Sequence, residues 1–119
     1  MSYVDGYVLP VPKKNLPAYR RMARLAGKIW REHGALDYKE CVGDDLDTTF
    51  GAGFPKTIKL KPDETVVFSY IVYKSRAHRD RVNAKVMADA RLTAANKGKP
   101  MPFDMKRMVF GGFKVLVDA

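Results

Sequence analysis

The most constraining feature of this sequence is a run of β-branched and aromatic residues near its middle, Val66-Val67-Phe68-Ser69-Tyr70-Ile71-Val72-Tyr73. The run is shorter than an ordinary helix, and it is too continuously apolar for a strand that has one face in water. We therefore predict a central β-strand that is covered on both faces. The rest of the chain has to supply those two covers.

The length and composition of the chain favour one compact domain. A chain of 119 residues builds a single core, so we predict one domain over residues 1–119. No apolar run approaches about 20 residues, and the chain does not open on a basic-then-apolar leader, which predicts a cytoplasmic protein with no membrane segment. The lone cysteine, Cys41, fits a reducing compartment. The net charge of +9 is compatible with polyanions, with anionic small molecules or with no charged partner.

Around the central strand, the sequence predicts three further strands and two helices. Asn15 as N-cap and Gly34 after the last turn bound an amphipathic helix, and Ser75 is the N-cap of a second one. The segment 44–63 has no sustained period, and we interpret it as a lid or arm with a short strand at 56–60. Gly111-Gly112 predicts a bulge, a bend or a close approach of another backbone in the last strand. The predicted order is strand 2–11, helix 16–33, strand 35–42 at a sheet edge, arm 44–63, strand 64–73, helix 76–96 and strand 106–117.

This order contains two βαβ units in succession, which predicts an α+β fold of the ferredoxin-like βαββαβ type. Split right-handed crossovers of this kind give a four-stranded antiparallel sheet. The first and third strands are then central, and both helices lie on one face.

Two helices cover one face of the sheet, and the second face would still carry a large apolar surface. We assign to it alternate residues of the first strand, Tyr3, Tyr7 and Leu9, and residues of the last strand, Met108, Val109, Phe110 and Phe113. A patch of this size is not left in water. A homodimer that packs sheet on sheet would cover it, so we predict a dimeric α/β barrel.

Four segments spread over nearly the whole chain resemble one family. They are 3–12 (YVDGYVLPVP), 64–70 (ETVVFSY), 79–89 (RDRVNAKVMAD) and 101–113 (MPFDMKRMVFGGF), and as a set they resemble the uncharacterised bacterial YbaA-like family. That family is similar to the dimeric α/β-barrel superfamily, which includes small cofactor-independent monooxygenases, haem-degrading enzymes, lactone isomerases and stress-response proteins. The resemblance implies a fold and a dimer, and it carries over no catalytic residue.

Asp5 is the most informative candidate for a functional residue. A carboxylate in a predicted central strand is costly to bury unless it is paired or hydrogen-bonded, and perturbed carboxylates of this kind cluster at functional sites. Asp5 and Tyr7 are the catalytic candidates, with Asp5 as a general base or as the group that orients a phenol. The alternative is a structural ion pair, or bonds to loop amides near Gly111. The candidate ligand-binding residues are Trp30, Tyr38, Glu40 and Tyr70.

The other chemically capable residues favour structural interpretations. Neither His33 nor His78 has a second His or Cys at ligand spacing, so we predict no metal site and no cofactor. We expect His33 to interact with the helix dipole. Gly51-Ala52-Gly53 lacks the residues that complete a phosphate loop, and Cys41, with no histidine near it in sequence, would be a small half-buried residue.

The function that these features favour is the binding of an apolar or aromatic small molecule, between sheet and helices or between subunits. The resemblance adds a cofactor-independent monooxygenase- or isomerase-like activity on that molecule. Two alternatives stay open: a basic module that binds RNA or another polyanion, and a stress-related dimer without a ligand. The aromatic RNA-binding signature is matched only loosely by residues 107–113, which disfavours nucleic acid.

Overall fold

The computed structural model describes residues 2–119, except for the side chain of Asn96. Its helices and strands are, in chain order, β1 (Tyr3–Pro12), α1 (Leu16–Glu32), β2 (Asp37–Val42), α2 (Phe54–Thr57), β3 (Glu64–Tyr73), α3 (Arg76–Met87), α4 (Ala90–Asn96) and β4 (Val109–Lys114). The strands form one antiparallel sheet in the order β2-β3-β1-β4. The prediction of an α+β fold with the first and third strands in the centre and β2 at an edge is therefore confirmed.

Three predicted elements differ from the observed ones. The predicted strand at 56–60 is wrong, because proline in the first turn starts the short helix α2 instead. The predicted second helix breaks after Met87, since the side chain of Asp89 accepts a hydrogen bond from the Arg91 amide and begins α4. The last strand is shorter than predicted at both ends, and Asp104 holds residues 105–107 in a 3-10 turn before it.

The ends of the long helices show which capping signals were correct. Gly34 follows α1 with a φ of 116°, the left-handed conformation that glycine adopts at helix ends. The Ser75 side chain accepts a hydrogen bond from the His78 amide, so the predicted cap of α3 is confirmed. Asn15 does not cap α1; its Nδ2 donates to the Pro102 carbonyl at 3.1 Å, which ties the start of α1 to the segment before β4.

The core lies between the sheet and the helices, on the face formed by odd-numbered residues of β1 and β3. One cluster combines Tyr3, Ile71 and Tyr73 with side chains of α1 and α3. A second combines Leu9, Val11 and Val67 with α1, and Tyr7 packs against both. The assignment of Tyr3, Tyr7 and Leu9 to the second face is therefore wrong. The same holds for Met108, which packs against this second cluster, and for Phe110, which stacks on Tyr7. The alternation along β1 was read correctly, but the larger side chains are needed to fill the space beneath the helices.

The opposite face of the sheet is the open face, and it is apolar. It carries the even-numbered residues of β1 and β3 with their register partners on β4, namely Val4, Gly6, Val8, Phe68, Tyr70, Val72, Val109, Gly111 and Phe113. Phe68 is 44% exposed and Phe113 61%. Within the described chain, most of β3 is therefore uncovered on this face, and the prediction of a cover on both faces, which requires a partner chain, stays a prediction. Only its beginning is covered there, where Val66 is buried.

The two adjacent glycines of β4 are explained by side chains of β1 and β4 rather than by a bulge. The register of β4 on β1 runs without interruption from Val109 to Lys114, so the predicted bulge is wrong. On the helix side, the ring of Tyr3 lies over Gly112, where an added Cβ would stand 2.7 Å from Tyr3 Cε2. On the open face, Gly111 is in ordinary contact range of the Phe113 ring, at 3.8 Å.

Replacing Gly112 by alanine should therefore destabilise the protein, because Tyr3 would have to leave its place in the core. We expect Gly112→Ala to lower the free energy of unfolding by about 1–3 kcal/mol, the usual cost of overpacking, in urea denaturation followed by circular dichroism. Gly111→Ala is the matched control, and it should change stability much less. Equal effects of the two substitutions would contradict this explanation of Gly112.

Candidate functional site

A large open groove lies between α1 and the edge strand β2, on the helix side of the sheet. Its volume is about 1140 Å³. The floor is formed mainly by apolar and aromatic side chains, among them Leu16, Tyr19, Ala23, Tyr38 and Val67. A concave, mostly apolar site with a few polar groups is what small-molecule ligands require.

Within the groove, Glu40 of β2 is held by two phenols. Tyr19 of α1 donates its hydroxyl to Glu40 Oε1 at 2.7 Å, and Tyr38 donates to Oε2 at 2.6 Å. Burial and the Glu40 charge raise the pKa of both tyrosines well above their usual value. Both phenols therefore stay protonated as donors, and they fix a carboxylate in the groove wall.

Gly27 of α1 allows the ring of Tyr38 to reach this position. A Cβ at Gly27 would stand 2.8 Å from Tyr38 Cδ1, so only glycine lets the helix and the ring approach so closely. On its other side, Tyr38 contacts Trp30, with ring centroids 6.2 Å apart. The placement of the Glu40 carboxylate, which Tyr38 holds, thus depends on a glycine of the neighbouring helix α1.

The rim of the groove is basic. Six of its lining residues are cationic and two are acidic: Arg20, Arg21, Arg24, Lys28, Arg31 and Lys39 against Asp37 and Glu40. Four of the cations recur every three or four residues along α1, which places them along one side of the helix.

The register of the sheet brings Glu40 and Tyr7 into one row. Glu40 pairs with Ser69 of β3, and Ser69 pairs with Tyr7 of β1. The two side chains therefore lie on the same face, about 10 Å apart across two strand spacings. Burial, together with the charges of Asp5 and Glu40, raises the pKa of Tyr7 to about 12. Tyr7 is consequently a proton donor at neutral pH and not a base.

Asp5 lies in the interior beside Tyr7, where it is only 4% exposed. Its nearest cation is Arg79 of α3, with Nη1 at 3.3 Å from Oδ1, but that oxygen makes no hydrogen bond within the described residues. Arg79 also stacks over the Tyr3 ring and contacts Asp80 at 3.0 Å. Burial raises the pKa of Asp5, and the Arg79 charge only partly opposes this effect.

A second buried carboxylate, Glu64, shows the opposite behaviour. Arg107 bonds both of its oxygens, at 2.6 and 3.0 Å, and the Lys61 amide donates to it at 2.9 Å. These bonds favour the charged form, so the pKa of Glu64 is lowered. The contrast with Asp5 comes from geometry, because both carboxylates have an arginine partner but only Glu64 is fully hydrogen-bonded.

The structure places five of the six residues singled out from the sequence on one side of the sheet, but of these only Tyr38 and Glu40 line the groove. Asp5, Tyr7, Trp30, Tyr38 and Glu40 all lie on the helix side of the sheet. Tyr70 is on the open face beside Phe68, so it is not a neighbour of Asp5, and its ligand-binding role stays a prediction.

The ring nitrogen of Trp30 donates to Asn83 Oδ1, which also accepts from Tyr73. Trp30 therefore links α1 to α3 through a hydrogen bond. Tyr19 and the arginines of α1 were not singled out, although their helical spacing was visible in the sequence.

Histidine and cysteine residues do not converge on a site in the described chain. His33 Nε2 lies 2.8 Å from Asp89 Oδ2, so this histidine joins α1 to the start of α4. His78 accepts a hydrogen bond from the Lys74 amide, and partial burial lowers its pKa. Cys41 is exposed rather than half-buried as predicted. Residues 2–119 hold no group of three His, Cys, Asp or Glu side chains suited to a metal ion.

In the part of the chain that the structure describes, the helices are too short or too polar to cross a membrane.

Comparison with known proteins identifies the family. The model for "Protein of unknown function (DUF1428)" matches residues 2–105. The uncharacterized protein YbaA of Escherichia coli strain K12 is 42% identical over 118 residues, which cover 99% of each chain, and YbaA of Shigella flexneri matches to the same extent. The chain belongs to the YbaA-like family. Among solved structures, the de novo designed protein Foldit4 aligns over 97% of this chain and 99% of its own, with a TM-score of 0.48 and 9% identity.

The two buried carboxylates of this YbaA-like protein predict opposite effects of pH on stability. The folded-state pKa of Asp5 is raised above 3.8, so the folded protein holds that proton more tightly than the unfolded chain. The stability of the wild type relative to Asp5→Asn should fall as the pH rises through and above 3.8. Urea denaturation at a series of pH values measures this difference.

Glu64→Gln is the matched comparison for this titration. The folded-state pKa of Glu64 is depressed below 4.5, so its contribution is present above that pH and is lost as the pH falls. The difference between wild type and Glu64→Gln should therefore grow with rising pH. If the two stability differences changed with pH in the same direction, the environment assigned here to Asp5 would be wrong.

Proposed function

We propose that this YbaA-like protein is a homodimer that binds an apolar or aromatic small molecule in the groove between α1 and β2. In this proposal each chain is a ferredoxin-like subunit, and two open faces pack together as a dimeric α/β barrel. The observation that carries the binding proposal is the Glu40 carboxylate, fixed by two phenols at 2.7 and 2.6 Å in a groove with a mainly apolar floor.

The chemistry of the open face supports the dimer. Aromatic and aliphatic side chains on all of β1, β3 and β4 point to this face, and Phe68, Val109 and Phe113 are largely exposed. Apolar surface of this extent marks an interaction site. A second copy of the same chain fits this face, because a two-fold axis places the apolar patch of one copy against the same patch of the other. The strands need no polar partner on this face.

The dimer can be tested with two phenylalanines on the same strand. Phe113 and Phe110 are similarly exposed, at 61% and 67%, but Phe113 faces the open side and Phe110 stacks on Tyr7 on the helix side. Phe113→Lys would bury a charge in the interface. We expect wild type and Phe110→Lys to sediment at twice the chain mass of 13.4 kDa, and Phe113→Lys as a monomer. A monomeric wild type, at concentrations on the order of tens of micromolar, would contradict the dimer.

The architecture of the groove supports ligand binding. Its walls come from a helix and an edge strand, so it stays open along one side while the floor remains apolar. Glu40 offers a fixed acceptor, and Tyr19 and Tyr38 hold it in place without an opposing cation. A monooxygenase- or isomerase-like reaction on a bound molecule would use Glu40 as its acid or base.

The catalytic role of Asp5 and Tyr7 stays a prediction. Asp5 is buried against Arg79, which favours the structural ion pair, and both residues lie behind the groove rather than in its lining. The alternative of a polyanion-binding module draws on the basic rim of α1. The aromatic residues of the open face would not support this alternative if the partner subunit covers them.

Groove binding can be tested with a neutral aromatic probe, phenyl-naphthylamine, which fluoresces on entering an apolar site. Val42 lines the groove and is half exposed, and Val42→Asn should weaken binding about fivefold, the effect of losing roughly 1 kcal/mol of apolar contact. Val117→Asn, in the exposed C-terminal segment, should leave it unchanged. Failure of the probe to bind, or equal sensitivity to both substitutions, would refute binding in the groove.

A further inference from the structure

We propose that the molecule bound in this groove is an acid, with a carboxylate or phosphate group held by Arg20, Arg24 and Lys28 of α1. This inference rests on the proposed groove function and specifies its substrate class. The three cations are spaced four residues apart, so they form one row about 12 Å long at the helical rise of about 1.5 Å per residue. All three line the groove and are exposed to it.

The row has no ion-pair partner among the described residues. Glu32, four residues after Lys28, is near enough to interact with the Lys28 charge but forms its ion pair with Arg91. Other arginines of the chain do have carboxylate partners, as Arg79 and Arg107 do. Many exposed cations of the described chain are unpaired in the same way, such as Arg81 and Lys85 of α3, and the row on α1 differs from them because it lines the groove.

The two carboxylates that line the groove are already engaged. Glu40 accepts hydrogen bonds from Tyr19 and Tyr38, and Asp37 accepts from Lys39 at 2.6 Å and from the Tyr38 amide. Among the described residues, neither forms an ion pair with the row on α1. Like charges four residues apart destabilise a helix, and an anion in the groove would relieve that repulsion.

The rest of the groove fits a small acid better than a long polyanion. Tyr19, Ala23 and Val67 give the floor an apolar surface directly below the cationic row. A ligand with an aromatic or aliphatic body and one charged end would satisfy both surfaces at once. A nucleic acid backbone would use the row but would leave the apolar floor unfilled.

The test compares two probes that share one aromatic body. Anilinonaphthalene sulfonate carries an anionic group, and phenyl-naphthylamine lacks it. We expect the sulfonate to bind to the wild-type homodimer about tenfold more tightly, which corresponds to two partly screened ion pairs. The preference should shrink as salt is raised, because these side chains are exposed.

Variants locate the source of the preference. Arg20→Gln combined with Arg24→Gln should abolish most of the preference for the sulfonate and leave the affinity for the neutral probe nearly unchanged. Arg81→Gln combined with Lys85→Gln removes the same charge from exposed positions of α3 and should preserve the preference. Circular dichroism confirms that each variant is folded, and a variant pair that loses the fold is replaced by Arg24→Gln alone, compared with Lys85→Gln.

The outcomes separate this inference from the proposed function. Equal binding of both probes, weakened to the same extent in Val42→Asn, would leave groove binding intact and overturn the inference of an acid. A preference that is reduced equally by the α1 and α3 variants would overturn it as well, because it would then reflect overall charge. Binding of neither probe would reject both proposals.

Discussion

The alternation of side chains along β1 and β3 decides which residues fill the core and which form the open face of the sheet. Odd-numbered positions carry the large residues Tyr3, Tyr73 and Leu9, which fill the space between the sheet and the helices. Even-numbered positions of β1 carry Val4, Gly6 and Val8, which leave a low, smooth surface on the other side. Because the side-chain period of a strand is two, a shift of one residue in register would exchange these two layers. The core, the open face and the position of the groove all depend on this one register.

The groove exists because α1 and β2 meet through an unusual set of contacts. Gly27 allows the helix to lie close to the ring of Tyr38. Glu40 then accepts hydrogen bonds from one hydroxyl group on the helix and one on its own strand. Further along α1 the side chains are long and charged, so the helix and the strand edge do not close over the space between them. Close contact at one point and long charged side chains along the rest produce an open site rather than a packed interface.

Much of the fold could be predicted from local patterns, since those patterns act over a few residues. Gly34 and Ser75 mark the ends of helices, and the run from Val66 to Tyr73 marks a strand, because backbone conformation and capping are local properties. The break at Asp89 was missed because an aspartate inside a helical pattern is equally compatible with an exposed helical residue.

The choice of face and the composition of the site could not be derived in the same way. Which side of β1 receives the helices depends on how residues far apart in sequence pack, so Tyr7 and Tyr70 looked equally suitable for one site. The bond between Tyr19 and Glu40 joins residues 21 positions apart, and it follows from the angle at which α1 crosses the sheet. Asp5 was recognised as a buried carboxylate from its place in a central strand, but its arginine lies on another element.

Arg107 connects three segments that are distant in the sequence. Besides its two bonds to Glu64 at the start of β3, it donates to the Lys59 carbonyl at 3.0 Å, near the end of the 44–63 arm. Its own backbone belongs to the turn that leads into β4. The arm and the entry to the edge strand are therefore fastened by one guanidinium, and they cannot loosen independently. A local opening at this corner would free both together and lengthen the stretch of sheet exposed to another molecule.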